Sequence, residues 1–320
     1  MSTLVFLEHN GDAIQKGSLG VLSKAVALDP DTAAVVIGSG VSRLAATAAK
    51  YGAKRVLVAD DAALEAPLPQ PRVDVISSLV KDQGFDTVLF GASVLAADIA
   101  GGLSARLDAG LNWDLGDLAS DGGNLVGKRS ALGDTVVADV GWTTGPKIGL
   151  IRAGSFEPVE SAGEGTVENV AVSLEDFSSG AKMVEQAHEE QTGPSIEEAD
   201  ILVTGGRGLG APEAFGELEQ LASALGGAVA STRAVVDAGW YPYPTQIGQT
   251  GKVVSPKVYL GFGVSGAIQH KVGMQTSQTI IAVNKDANAP IFEFSDLAVV
   301  GDLHQIVPQL TALVKERKGS

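Results

Sequence analysis

The sequence predicts an α/β protein of two domains, each built on a mainly parallel β-sheet flanked by helices. Short, continuously apolar runs alternate with single stretches of helical period, as expected where buried strands are joined by crossover helices. The chain has 320 residues, 45% of them hydrophobic, which is enough for two cores. Its 40 glycines and few aromatic residues fit a fold with many strand-to-helix turns.

In the first domain four strand-and-helix pairs follow one another. "TLVFLE" leads to "SLGVLSKAVAL", "AAVVIG" to "VSRLAATAAKYG", "KRVLVA" to "RVDVISSLVKDQG", and "DTVLFGA" to "LAADIAGGLSARL". From Asn112 to about Ile151 the pattern turns to glycine-rich turns and β-rich runs, "DTVVADV" and "KIGLIRAG", expected to add antiparallel strands. The polar stretch from about Glu175 to Asp200 reads as a linker, and the expected domains are residues 1–192 and 193–320. The alternation restarts with the strand opening "ILVTGGRGLG" and the helix "PEAFGELEQLASALG". Strands are then expected in "GAVAST", "KVYLGFG", "TIIAVN" and "PIFEFS". The last helix, "DLHQIVPQLTALVKERK", has acid at its start and base at its end, as the helix dipole favours.

A net charge of -15 argues against nucleic acid or an anionic membrane as the main partner. No segment has the roughly 20 apolar residues needed to insert directly into a bilayer. The first residues read as a strand and not as a signal peptide, so the protein is expected to be cytoplasmic. With no cysteine, thiolate metal sites, iron–sulfur ligation and thiol nucleophiles are excluded, and no metal site is expected. Any redox role therefore needs a bound cofactor.

Three stretches stand out. "TGGRGLGAPEAF" places Gly206, Gly208 and Gly210 between a strand and a helix. That spacing is not the G-x-G-x-x-G dinucleotide fingerprint, and both a plain tight turn and an anion-binding loop remain open; Arg207 favours the second. "STRAVVDAGWYPYPTQIGQTGKVVSP" is a long stretch with little helical or strand period, the kind of ordered loop often given to function. In "GVSGAIQHKVGM", Ser265 or Gly266 is positioned to cap a helix with His270 near its first turn. No paired-carboxylate, His-x-x-x-His or G-x-S-x-G pattern accompanies them, so no catalytic residue is assigned.

Together "GRGL", "STRAVVDAG", "IGQTGK", "VYLGFGVSGAIQHKVGM", "IIAVNKD" and "APIFEFSDLAVVGDL" resemble, in order, the α subunit of electron transfer flavoproteins. The resemblance covers the C-terminal domain and implies that this domain is doubly wound and binds FAD. It implies that Arg207 and the adjacent glycines contact the extended part of the cofactor, while Thr232 and Arg233 lie near the isoalloxazine. The family commonly has Ser where Thr232 stands, which keeps the hydroxyl. Ile247, Gly248, Gln249 and Thr250 form the loop that reaches the flavin N5 region. Ser265, Gly266, Ala267, Ile268, Gln269 and His270 form the turn at its pyrimidine edge, with His270 and the helix N-terminus expected to aim donors at N1–C2=O. Asn284, Asp302 and Leu303 fall on the adenosine side.

The same resemblance implies a non-enzymatic electron carrier in a heterodimer with a β subunit, serving fatty acid β-oxidation. Acyl-CoA dehydrogenases and other flavin dehydrogenases would supply electrons, and a quinone oxidoreductase or another acceptor would take them. The loop "VIGSG" at residues 36–40 does not by itself imply a nucleotide in the first domain. Two other readings stay open at this point: an NAD- or FAD-dependent oxidoreductase acting directly on a small substrate, and a structural partner that has lost its ligand.

Overall fold

A computed structural model of the chain describes residues 2–132, 136–161, 163, 165–185 and 195–319. The chain divides into two compact units, residues 1–188 and 189–320. The boundary expected at 192/193 lies outside the described residues.

The first unit contains β1 (Thr3–Phe6), the short hairpin β2 (His9–Asn10) and β3 (Ala13–Ile14), α1 (Lys16–Leu28), β4 (Ala33–Gly38), α2 (Ala45–Lys50), β5 (Arg55–Asp60), α3 (Pro69–Gln83), β6 (Thr87–Gly91) and α4 (Val94–Leu107). These are followed by β7 (Leu111–Asp121), β8 (Asn124–Ala131), β9 (Val136–Val140), β10 (Lys147–Ile151) and β11 (Thr166–Asn169). The sheet order is β11-β5-β4-β1-β6-β10-β7-β8-β9. Its strands β1 and β4 are buried along their whole length because both faces are covered, with separate cores on the two sides around Phe6 and Phe90 and around Val36 and Leu44.

Local chemistry sets the helix ends. Pro69 opens α3 and Gly84 closes it at φ 71°, while the Ser93 hydroxyl accepts from the Ala96 amide at 2.9 Å to start α4. Of the two β-rich runs expected to be antiparallel, β9 is, against β8. The run "KIGLIRAG" instead forms β10, parallel to both β6 and β7. Its residues Ile148 to Ile151 are buried, as an inner parallel strand requires. After β4, the protein's own carboxylate Asp60 accepts from the Gly40 amide, the last of "VIGSG", at 2.7 Å and from the amide and hydroxyl of Ser42 just beyond it.

The second unit contains β12 (Ile201–Gly205), α5 (Phe215–Leu225), β13 (Ala228–Thr232), α6 (Arg233–Val236), β14 (Gln246–Ile247), β15 (Val258–Phe262), α7 (Ile268–Lys271), β16 (Thr279–Asn284), β17 (Leu297–Val300) and α8 (Leu303–Lys318). All its strands pair in parallel in the order β14-β13-β12-β15-β16-β17. Two expectations are corrected. "PIFEFS" is a 3₁₀ helix over Pro290–Phe294, since Pro290 suits the first helical turn and the Phe292 amide donates to Ala289 O at 3.0 Å. The edge strand is the next run, "LAVV", as β17.

Candidate functional site

Sequence order through the second sheet runs outward from β12 to β13 and β14 on one side, then from β15 to β16 and β17 on the other. The reversal falls between β12 and β15. In open parallel sheets ligands bind beyond the carboxyl ends of the strands at this place. A cavity of about 590 Å³ lies here, lined by the loops that follow β12 to β16.

Glycines allow the central loops to meet. A Cβ on Gly206 would stand 2.3 Å from the Gly263 carbonyl oxygen, and one on Gly208 would stand 2.6 Å from the Gly263 Cα. Gly263 has φ +63°, where an L side chain is strained. The loops therefore cross backbone to backbone, with the Gly208 amide donating to Gly263 O at 3.0 Å. Between these glycines, exposed Arg207 lines the cavity.

Thr232 ends β13 and Arg233 begins α6, so both sit at the cavity wall. The Arg233 guanidinium donates through Nε to Asp237 Oδ2 at 3.2 Å, one helical turn on, and both side chains are exposed. This carboxylate offsets part of the field that Arg233 delivers. The following loop is stitched to α7 by the Gln249 amide, which donates to Gln269 O at 2.8 Å. Gly248 permits the contact: a Cβ there would lie 2.8 Å from that same oxygen. Thr250 Oγ1 accepts from Gln246 Nε2 at 3.2 Å, and its carbonyl accepts from the Tyr243 hydroxyl.

His270 is 6% exposed. Its Nδ1 lies 3.2 Å from Ile247 O and its Nε2 2.8 Å from the Tyr259 hydroxyl. A carbonyl only accepts, so Nδ1 carries the hydrogen, Nε2 accepts, and the phenol donates. Burial pushes the imidazole pKa down to about 4, leaving it neutral.

In this arrangement the His270 ring donor is directed at Ile247 O. The expected cap is corrected. The α7 helix is a single turn whose N-cap is Ala267, with no capping side chain, so neither Ser265 nor Gly266 caps it and its dipole is small. Farther along, Asn284 ties two loops together: Nδ2 donates to Val264 O at 3.0 Å and Oδ1 accepts from the Asp286 amide at 3.0 Å.

Of the residues singled out in the sequence, Arg207, Thr232, Arg233, Ile247, Gly248, Gln249, Thr250, Ser265, Ala267, Gln269, His270 and Asn284 all line this one cavity. Gly266, Ile268, Asp302 and Leu303 are not among its lining residues. Gly266, at φ +89°, packs against the Ile291 backbone, and Ile268 is exposed. Asp302 caps α8 by accepting from the His304 amide, and Leu303, the first residue of that helix, is buried in the core. Sequence reading missed Asp237 and Asp286 on the lining, though each stands close in sequence to a residue it did identify. It also missed Ala289 and Pro290, hidden by the mistaken strand.

Two stretches match described families. Residues 3–175 match the electron transfer flavoprotein domain, and residues 195–275 match the electron transfer flavoprotein FAD-binding domain. The electron transfer flavoprotein subunit alpha of Mycobacterium leprae is 40% identical over 320 residues, covering 99% of each chain. The protein of the same name from Clostridium acetobutylicum is 37% identical over 97% of this chain and 96% of its own length. That from Bacillus subtilis is 36% identical over 92% and 90%. On this likeness along nearly its whole length, the chain belongs to the electron transfer flavoprotein α-subunit family and carries that family's FAD-binding domain.

Proposed function

We propose that the cavity beyond β12 and β15 is where this chain holds FAD, and that the chain carries electrons between other proteins without converting a substrate of its own. The observation that carries this reading is the convergence of four separated sequence stretches, at Arg207, Thr232–Arg233, Ile247–Thr250 and Ser265–His270, on the switch point of a parallel sheet. Their chemistry fits a flavin dinucleotide. Side-chain-free backbone at Gly206, Gly208 and Gly263 admits close approach, and Arg207 and Arg233 supply positive charge for phosphate and for a ring that becomes anionic on reduction. Bound FAD supplies reversible redox chemistry at its isoalloxazine.

The residues around it bind, orient and tune. The Arg233 charge favours the reduced cofactor, moderated by Asp237. Thr250 and Gln249 present uncharged hydrogen-bonding groups, and Asn284 fixes the wall between the loops after β15 and β16. His270 is held neutral, Asp237 is paired with Arg233, and Asp286 accepts from the Asn288 amide, so these titratable groups are engaged within the protein. That supports a carrier over an enzyme with its own acid–base pair.

The partners follow from the family: a β subunit completing a heterodimer, acyl-CoA dehydrogenases and similar flavoenzymes as donors, and a quinone oxidoreductase or another acceptor. We place the protein in the cytoplasm and its domain boundary near 192/193. No helix among the described residues is long and apolar enough to cross a membrane.

The test is gentle purification from the native host, with the released cofactor and any co-purifying polypeptide identified by mass spectrometry. Reduction of the bound flavin by an acyl-CoA dehydrogenase and its substrate is then followed by absorbance. FAD, a second subunit of similar size and dehydrogenase-dependent bleaching are expected. A lone chain that carries NAD and oxidises a small substrate would overturn the reading.

A further inference from the structure

We infer that Tyr259 is a positioning residue of the cofactor site, its hydroxyl holding the His270 ring in the orientation that bonds Ile247 O and thereby seating the Ile247–Thr250 loop. This rests on the reading of the adjoining cavity as the FAD site.

Tyr259 lies on β15, outside the cavity lining, and is fully buried. Its neighbours make room for it. Gly261 stands two residues on, on the same face of the strand, and a Cβ there would come 2.9 Å from the phenol ring. The hydroxyl of Thr204, on the adjacent strand β12, is buried beside the phenol. A buried phenol in such a place needs a partner for its own hydrogen, and His270 Nε2 lies in hydrogen-bond geometry at 2.8 Å.

The Ile247 carbonyl, which only accepts, places the single ring hydrogen on Nδ1 at 3.2 Å, and the phenol supplies the donor that Nε2 then needs to stay in this orientation. A second bond runs beside it, from the Gln249 amide to Gln269 O at 2.8 Å. The two together fasten the loop bearing Ile247, Gly248, Gln249 and Thr250 to the turn bearing Gln269 and His270, and both segments line the cavity. Without the phenol hydrogen, Nε2 would be a buried acceptor with nothing to accept. The ring would then gain by turning so that Nε2 meets another donor, which releases Ile247. Tyr259 thus acts on the cofactor through His270 and never touches it.

The experiment uses the flavin-loaded protein from its own host, with histidine labelled by ¹⁵N, and needs no variant for its first reading. The ¹⁵N spectrum of His270 in the wild type is expected to show the Nδ1–H tautomer; an Nε2–H tautomer or an imidazolium at neutral pH overturns the inference. In Tyr259→Phe, which keeps the ring, the His270 nitrogen shifts should change as the Nε2 bond is lost, FAD retention should weaken about fivefold, as for one lost buried hydrogen bond, and the flavin midpoint potential should shift. A Tyr259→Phe protein with unchanged His270 nitrogen shifts, or with altered shifts but unchanged retention and potential, overturns it. Adding FAD back to stripped wild-type protein separates the underlying reading. If the His270 resonance ignores FAD, the cavity is not the flavin site, and this inference about that site falls with it even if the tautomer is as expected.

Discussion

Arg233 and Asp237 form the adjustable part of the cavity's electrostatics. Arg233→Gln should lower the flavin midpoint potential by roughly 30–60 mV, up to about tenfold in a one-electron equilibrium. Asp237→Asn should move it the other way and by less, because it frees the guanidinium from its 3.2 Å partner. Redox titration of the two variants checks the pair, and shifts of the same sign would contradict the assignment. His270 gives a pH dependence of definite sign. Its folded pKa, about 4, lies below the ordinary 6.5, so the unfolded chain takes up a proton that the native state refuses. The contribution is complete above about pH 6.5 and shrinks as pH falls toward 4, at up to about 1.4 kcal/mol per unit. Urea unfolding at pH 7 and pH 5 should therefore show a larger loss of stability for the wild type than for His270→Gln.

The loops after β12 and β15 are held by glycines of two different kinds. At Gly206 a side chain would strike backbone atoms of Gly263 and Val264 at 2.3–2.7 Å. Gly206→Ala should force the loops apart, cost about 2 kcal/mol or more and empty the flavin site. Gly210 has φ +81° but open space around it, so Gly210→Ala meets only backbone strain of about 1–2 kcal/mol and should keep its flavin. Thermal denaturation with flavin content measured on the same samples separates the two effects. The elements themselves were largely legible in the sequence, since a parallel strand buried on both faces is an uninterrupted apolar run, as in "AAVVIG" and "TIIAVN". Misreadings came where short-range pattern and tertiary context part. "PIFEFS" alternates like a strand but begins with proline against a turn, and "LAVV" is a short edge strand with little burial to mark it. The two-residue β14 is too short to show any period.

Across the whole chain, the two units have separate hydrophobic cores: Phe6, Phe90 and Leu44 belong to one unit, and Tyr259, Phe262 and Leu218 to the other. Since a ligand stabilises the unit that binds it, FAD should slow hydrogen exchange in peptides from residues 201–318. Peptides from residues 3–151 should be unaffected; protection confined to those would contradict the account. The site was more legible than its internal wiring. Motifs named most of the lining residues, but that the phenol of Tyr259 meets the imidazole of His270 depends on how the α7 turn folds back over β15, which no local pattern encodes. Likewise nothing local in "VIGSG" tells that Asp60 accepts from its Gly40 amide and from Ser42 just beyond it. The measurement that tests the central claim most directly is an experimental structure of the flavin-loaded protein. The account predicts dinucleotide density in the cavity bounded by Arg207, Arg233, Thr250 and Asn284, with His270 behind it bonded to Tyr259 and Ile247. Flavin density elsewhere, with this cavity holding only water, would contradict it.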